Sequence, residues 1–272
     1  MIICLVAAES LSAQPGCDVE LYDLRSRHTG QDYELYISLP QNYGKDTLAR
    51  YPVLYVLDGK FMFQLIRAEF QALRDVQQVK EIILVGIGYK KPKTLFESIP
   101  NRTLDFTPSR DSVTENLFAS VNLRVRTGGA NDFVSALKNE IFPAVESCYR
   151  TYDRGIAGHS FGALFGSYVF ITQPSLFHKY LLSSPTLDWD NRLLINLARK
   201  DSLENAKIVD ATMFLSIGAE EDKPLLDAQA MFAQVLRSYR NLKAEYRVLS
   251  YENHESAHLT AFGQGLRYLY GL

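Results

Sequence analysis

The pentapeptide Gly158-His159-Ser160-Phe161-Gly162 constrains this chain more than any other feature, because of what flanks it. The apolar run RGIAGHS leads into it and the equally apolar FGALFGSYVF leads away. A G-x-S-x-G between a strand and a helix describes a sharp turn that leaves a serine hydroxyl exposed, with glycines on either side letting the neighbouring backbone pack closely. Alone, the pentapeptide is common enough by chance to mean little. Its flanks supply the context that the turn requires.

The rest of the chain reads as the kind of fold that carries such a turn. Residues 31–40 alternate polar and apolar, as an early antiparallel strand does. The runs at 51–59 and 81–89 are more continuously apolar, as strands buried on both faces are. Further strands are predicted at 154–160, 179–185, 211–218 and 244–251. Helices are predicted at 61–74, 131–149, 161–171, 191–199, 225–239 and 256–270. Residues 90–127 show no period and are rich in Pro, Arg, Thr and Ser, which reads as a long loop. Strands alternating with helices give an α/β fold, a three-layer αβα sandwich with a mainly parallel central sheet. Ligands of such sheets bind at the carboxyl ends of the strands, so chemistry-bearing residues are expected just after them.

They are found there. A serine hydroxyl is a poor nucleophile at neutral pH and needs a base, and after an elbow of this kind the order along the chain is Ser, acid, His. His254, in YENHESAHLTAF just after the last strand, is the favoured base, with His258 as the alternative; His159 is expected to pack near the turn. The strand at 211–218 ends in Gly218-Ala219-Glu220-Glu221-Asp222. Glu221 is the chosen acid, Glu220 and Asp222 its rivals, Glu252 and Glu255 outside candidates, and a Ser-His dyad without any acid a further option. Acyl transfer also needs donors for a developing oxyanion. The backbone N–H groups of Phe161 and of Lys60, after Leu57-Asp58-Gly59, are the candidates, with Gly59 next.

Composition narrows the partners. A net charge of −2 over 272 residues gives no electrostatic reason to expect nucleic acid or an anionic membrane. Cys4, Cys17 and Cys148 suggest neither a disulfide framework nor a zinc site. No repeat, low-complexity tract or linker interrupts the sequence, so one domain is expected over 17–272. Residues 1–16 include a short apolar run ending in Ser12 and Ala13, like the later part of a secretory signal, but without a positively charged start and interrupted by Glu9 and Ser10. The segment supports a secreted or periplasmic location, with a frayed strand or a mis-assigned start in a cytoplasmic protein as the other reading.

The blocks YPVLYVLDG, GIGY, RTLDFTP, GGANDFVSALKNEIFPAVESCYRT, GHSFGALFG, SSPTLDW and ENHESAHLTAFGQGLRYLY, in this order, resemble the putative-esterase family of α/β hydrolases. That family includes enterochelin (siderophore) esterases, esterase D and the mycolyltransferases. The resemblance implies the α/β-hydrolase fold and a serine esterase that needs no cofactor or metal. It carries the catalytic roles to Ser160 and His254 and the second oxyanion donor to the backbone after Asp58-Gly59. The acid is the variable part of the family, some siderophore esterases being described as dyads, so Glu221 stays open. Arg102 and Asp105 match a recurring family segment. They are expected to pair with each other and pin the long loop, with contact between Arg102 and an anionic substrate group as the alternative. Trp189, the only tryptophan, is expected to wall the substrate pocket or else to pack in the core; Lys90, Lys91 and Lys93 read as a solvated face.

The activity this implies is hydrolysis of a small-molecule ester through an acyl-enzyme. A siderophore trilactone, a feruloyl or acetyl carbohydrate ester, a thioester and a simple acyl ester would all use the same groups. An acyltransferase differs only in the acceptor that reaches the acyl-enzyme. A non-catalytic binding protein on this scaffold would be expected to lack the serine or the histidine, and both are present.

Overall fold

The apolar runs pair into one eight-stranded sheet. In the computed structural model, which describes residues 19–205 and 208–272, the strands are β1 (Val19–Arg25), β2 (Asp32–Ser38), β3 (Tyr51–Val56), β4 (Ile83–Tyr89), β5 (Thr151–His159), β6 (Lys179–Ser183), β7 (Ile208–Gly218) and β8 (Arg240–Leu249). The signal-like segment 1–16, with Cys4, and Cys17 beside it lie outside the described residues. Strand order is β1-β2-β4-β3-β5-β6-β7-β8. The β1–β2 and β2–β4 pairings are antiparallel and every other pairing is parallel. This is the α/β-hydrolase arrangement, in which an antiparallel start leads into a parallel sheet.

Side-chain alternation along the central strands assigns each face its helices. In and just after β3, Val53, Tyr55 and Leu57 join Phe133, Leu137, Phe165 and Phe232 in one core, while Leu54 and Val56 join Phe63, Ile66, Phe262 and Leu266 in the other. The second core lies under α1 (Gly59–Asp75) and α9 (Ala257–Tyr270). The first lies under α4 (Ala130–Ala136), α6 (Phe161–Thr172), α7 (Trp189–Asn205) and α8 (Lys223–Leu236). After α4 the helix continues through a π-helical turn, Leu137–Ile141, into α5 (Phe142–Glu146). Among the described residues no helix is long and apolar enough to cross a membrane.

The long loop expected at 90–127 is corrected. It contains α2 (Leu95–Phe106) and α3 (Ser112–Ser120). In α2 the internal Pro100 masked the helical pattern, yet its start carries a capping signal: Thr94 Oγ1 accepts from the Glu97 amide at 3.1 Å, and Glu97 Oε2 accepts from the Lys93 amide at 2.7 Å. In α3 no residue is buried, so no apolar stripe betrayed it; its start is capped by Asp111, which accepts from the amides of Val113 and Thr114. The opening turn of α7 is left-handed at Asp190, Asn191 and Arg192, where an ordinary helix start was expected.

Candidate active site

The turn at Ser160 has the geometry that its sequence context asked for. Ser160 stands at φ 57° and ψ −119°, strained for a residue with a Cβ, directly between β5 and α6. Gly158 makes this possible: a Cβ there would lie 2.5 Å from the carbonyl carbon of Gly162, inside the first turn of α6. The Ser160 amide donates to the carbonyl of Ser183 at 3.0 Å, which ties the turn to the neighbouring strand.

Three side chains meet over the carboxyl edge of the sheet. His254, on the turn between β8 and α9, places Nε2 2.9 Å from Ser160 Oγ and Nδ1 2.9 Å from Glu221 Oε2. Of the three adjacent carboxylates after β7, Glu221 is buried, whereas Glu220 and Asp222 are exposed. Glu221 Oε1 accepts from the Gly218 amide at 3.0 Å and from the Ser184 hydroxyl. Burial works to raise the pKa of Glu221, but the hydrogen bonds from His254, Ser184 and Gly218 outweigh it and hold the carboxyl below its usual range. The Nδ1 contact puts the proton of a neutral His254 on that nitrogen, leaving Nε2 free to accept from the serine. Glu252 instead accepts from Ser256 and Thr260, and Glu255 is exposed.

Two more histidines, His159 and His258, lie in this region. The ring of His159 lies 5.0 Å from that of His254 and 4.9 Å from that of His258, which sits in the first turn of α9. Burial, and then the charges of His254, His258 and Arg102, push His159 well below the ordinary histidine range. His159 is therefore a neutral packing surface for His254, and Ser183 Oγ lies 3.3 Å from its Nδ1.

Two helix N-termini face the same edge. Phe161 opens α6, and Lys60 is the second residue of α1, whose start is fixed by Asp58 in a left-handed conformation (φ 52°). First-turn N–H groups have no partner within their own helix, so each is available to a developing negative charge. The Lys60 side chain turns away, donating to the Lys90 carbonyl at 3.1 Å.

Arg102 is placed differently from expectation, whereas Trp189 takes the packing role, one of the two expected for it. Arg102 pairs with Asp58, not with Asp105. With its side chain only 9% exposed and engaged by Asp58, it is placed as a partner of that residue rather than as a contact for a substrate anion. Asp105 accepts from the phenols of Tyr33 at 2.6 Å and Tyr89 at 3.0 Å. Trp189 is buried; its ring meets Phe161 edge-on at 5.6 Å, and its Nε1 donates to Ser109 Oγ at 3.1 Å, so packing beside the elbow describes it. The sequence reading missed Asp58 and Ser184 as side chains of this region. Asp58 was visible only as part of a turn signal, and Ser184 carried no signal of its own. Among the described residues no cluster of three or more His, Cys, Asp or Glu side chains is placed to hold a metal ion.

Comparison with known proteins places this chain in a family. The model of the family described as "Putative esterase" matches residues 26–266. The chain belongs to that family. Among curated relatives, ferri-bacillibactin esterase BesA of Bacillus subtilis is 27% identical over 186 residues, covering 66% of this chain and 62% of BesA. A siderophore enterobactin esterase of Emericella nidulans is 26% identical over 254 residues, covering 80% of this chain and 82% of that protein. Among solved structures, the BES protein of Bacillus cereus superposes with a TM-score of 0.81 at 27% identity, covering 98% of this chain and all of that one (100%). An IroE-like serine hydrolase from Shewanella oneidensis gives a TM-score of 0.77 at 25% identity, covering 93% of this chain and 80% of that one.

Proposed function

We propose that this member of the putative-esterase family hydrolyses carboxylic esters of a small-molecule siderophore through Ser160, with His254 as base and Glu221 as the acid that orients it. The observation that carries this reading is the continuous pair of 2.9 Å contacts, Ser160 Oγ to His254 Nε2 and His254 Nδ1 to Glu221 Oε2, at the carboxyl edge of the sheet. The siderophore class is supported by the names of the curated relatives, a ferri-bacillibactin esterase and an enterobactin esterase.

In this reading Ser160 Oγ attacks the ester carbonyl while its proton passes to His254 Nε2. Glu221 stabilises the imidazolium that results, and the N–H groups of Lys60 and Phe161 receive the oxyanion. As the carbonyl re-forms, the C–O bond to the alcohol breaks and His254 returns the proton to the leaving oxygen. Water, deprotonated by His254, then attacks the acyl-enzyme; the bond from the acyl carbon to Ser160 Oγ breaks, His254 returns the proton to Oγ, and the acid leaves. Every step uses groups of this chain and water, with no further reactant.

The test is hydrolysis of p-nitrophenyl acetate and butyrate, followed by a trilactone siderophore in iron-free and ferric forms, by the wild type, Ser160→Ala and His254→Ala. The expected result is turnover of all three substrates by the wild type and loss of most of it in both variants. Wild-type turnover by Ser160→Ala would overturn the nucleophile. Activity on the p-nitrophenyl esters without any on the trilactone would overturn the substrate class alone.

A further inference from the structure

The nucleophile and the acid leave the sheet on different strands. Ser160 follows β5 and Glu221 follows β7, with β6 between them. Neighbouring strands lie about 4.8 Å apart, so the two groups start roughly 10 Å from each other, and the histidine must bridge whatever separation the sheet edge sets. The strand in the middle ends at Ser183, and the next residue is Ser184. These two serines touch both sides. The Ser183 carbonyl accepts the Ser160 amide at 3.0 Å, and the Ser184 hydroxyl donates to Glu221 Oε1. Ser184 is fully buried, its amide donates to the Ser216 carbonyl of β7 at 2.7 Å, and its backbone is left-handed at φ 47°.

We propose that Ser184 is a positioning residue for the base, acting through Glu221; this rests on the reading of Glu221 as the acid. A carboxylate's terminal torsion is soft, so one oxygen on His254 does not by itself fix the plane of the group. Oε1 receives two donors that do fix it. The Gly218 amide is the last of β7, the strand that leads into Glu221, so it references the carboxylate only to its own strand. Ser184 comes from the strand that also holds the elbow, so its bond references the carboxylate to the nucleophile rather than to itself. The left-handed backbone at Ser184 is disfavoured for a residue with a Cβ, and here it accompanies the donation to Glu221. Without the hydroxyl, Oε1 keeps only the local donor, and the imidazole loses the frame that aims Nε2 at Ser160.

The test is a double-mutant cycle on p-nitrophenyl butyrate with wild type, Ser184→Gly, Glu221→Ala and the double variant, all checked for thermal unfolding. Glycine suits the left-handed backbone and removes only the hydroxymethyl group. Ser184→Gly is expected to lower kcat by about 10- to 100-fold, the range for a hydrogen bond to a charged group, with KM changed by less than about twofold. In the Glu221→Ala background the same change is expected to have no further effect on kcat, because the residue it acts through is gone. Equal losses in both backgrounds, or wild-type kcat in Ser184→Gly beside a crippled Glu221→Ala, would overturn the inference. Wild-type kcat in Glu221→Ala itself would overturn the acid assignment first and the inference with it, so the single variant tells the two failures apart. Should Ser184→Gly not fold, Ser184→Cys, with a weak donor of similar size, enters the same cycle and is expected to show a smaller loss, again absent without Glu221.

Discussion

Arg102 and Asp58 join the long insert to the elbow through a bidentate ion pair, Nε to Oδ1 at 2.9 Å and Nη2 to Oδ2 at 2.8 Å. Asp58 caps α1 beside one candidate oxyanion donor, and its Oδ2 lies 3.4 Å from where a Cβ on Gly162 would be, next to the other. Arg102 Nη2 also reaches the His159 carbonyl at 3.5 Å, and the guanidinium lies 5.4 Å from the centre of the Phe161 ring. The two helix starts that carry the proposed oxyanion donors are thus tied to a single buried cation delivered from α2.

Removing that cation leaves Asp58, whose side chain is 1% exposed, as a buried charge without its partner. Arg102→Met is expected to lower unfolding stability by about 3–5 kcal/mol, the usual cost of breaking one side of a buried pair. The combined Arg102→Met, Asp58→Asn variant should lose less than the sum of the single changes, since neither charge is then stranded. Urea unfolding of the four proteins measures both numbers. Simple additivity would show that the pair is not energetically coupled.

Among the three neighbouring carboxylates only Glu221 touches His254. Glu221→Ala is expected to reduce kcat on the order of 10³- to 10⁴-fold, as when the third member of such a triad is lost. Glu220→Ala and Asp222→Ala, both of exposed side chains, should stay within about twofold of wild type. Steady-state kinetics on p-nitrophenyl butyrate decide it, and a large loss in either neighbour instead of Glu221 would move the acid.

Why some of this was readable beforehand and some was not follows from the range of the interactions. The class of the sheet was legible because β3, β4 and β5 announce burial in short apolar runs, and the elbow because Gly158 and Gly162 answer a local steric demand. The edge strands were harder. Strand β8, with Lys243, Glu245 and Arg247, is largely exposed and polar, so its first residues were not read as strand, and β1 was missed altogether. Charged edges of this kind oppose pairing with another chain, which is the reason that they look unlike strands. The partner of Arg102 was not legible at all. Asp105 is three residues away and Asp58 forty-four, and nothing in a linear pattern distinguishes a nearby carboxylate from one brought in by the sheet.

Asp105 carries a different consequence. It is 1% exposed, and burial pushes its carboxyl up to about 7 against the opposing hydrogen bonds from Tyr33 and Tyr89. Between about pH 4 and 7 the folded chain then holds a proton that the unfolded chain has released, so this residue's contribution to stability falls as pH rises through that window and levels off above it. Asp105→Asn keeps an acceptor for the phenols and cannot ionise. Its stability relative to wild type is expected to rise by about 1–4 kcal/mol on going from pH 4 to pH 8. Urea midpoints of both proteins at the two pH values provide the measurement, and a pH-independent difference would mean that Asp105 takes up no proton on folding.

The turn at Ser160 makes the sharpest steric prediction. At Gly158 a Cβ would meet backbone on the far side of the turn, 2.5 Å from the Gly162 carbonyl carbon and 2.7 Å from its oxygen, and backbone cannot step aside as a flexible side-chain end can. Gly158→Ala must therefore open the turn that holds Ser160 at its strained φ and ψ. Overpacking of this kind costs about 1–3 kcal/mol, but the loss of activity should be larger than that loss of stability implies, because Ser160 Oγ leaves the 2.9 Å contact with His254. Gly44→Ala is the control: a Cβ there meets nothing within 4 Å, so both stability and turnover should stay at wild-type levels. Thermal unfolding and p-nitrophenyl butyrate turnover of the two variants separate the outcomes. Full activity in a stably folded Gly158→Ala would show that the close approach of Gly158 and Gly162 is not what sets the serine in place.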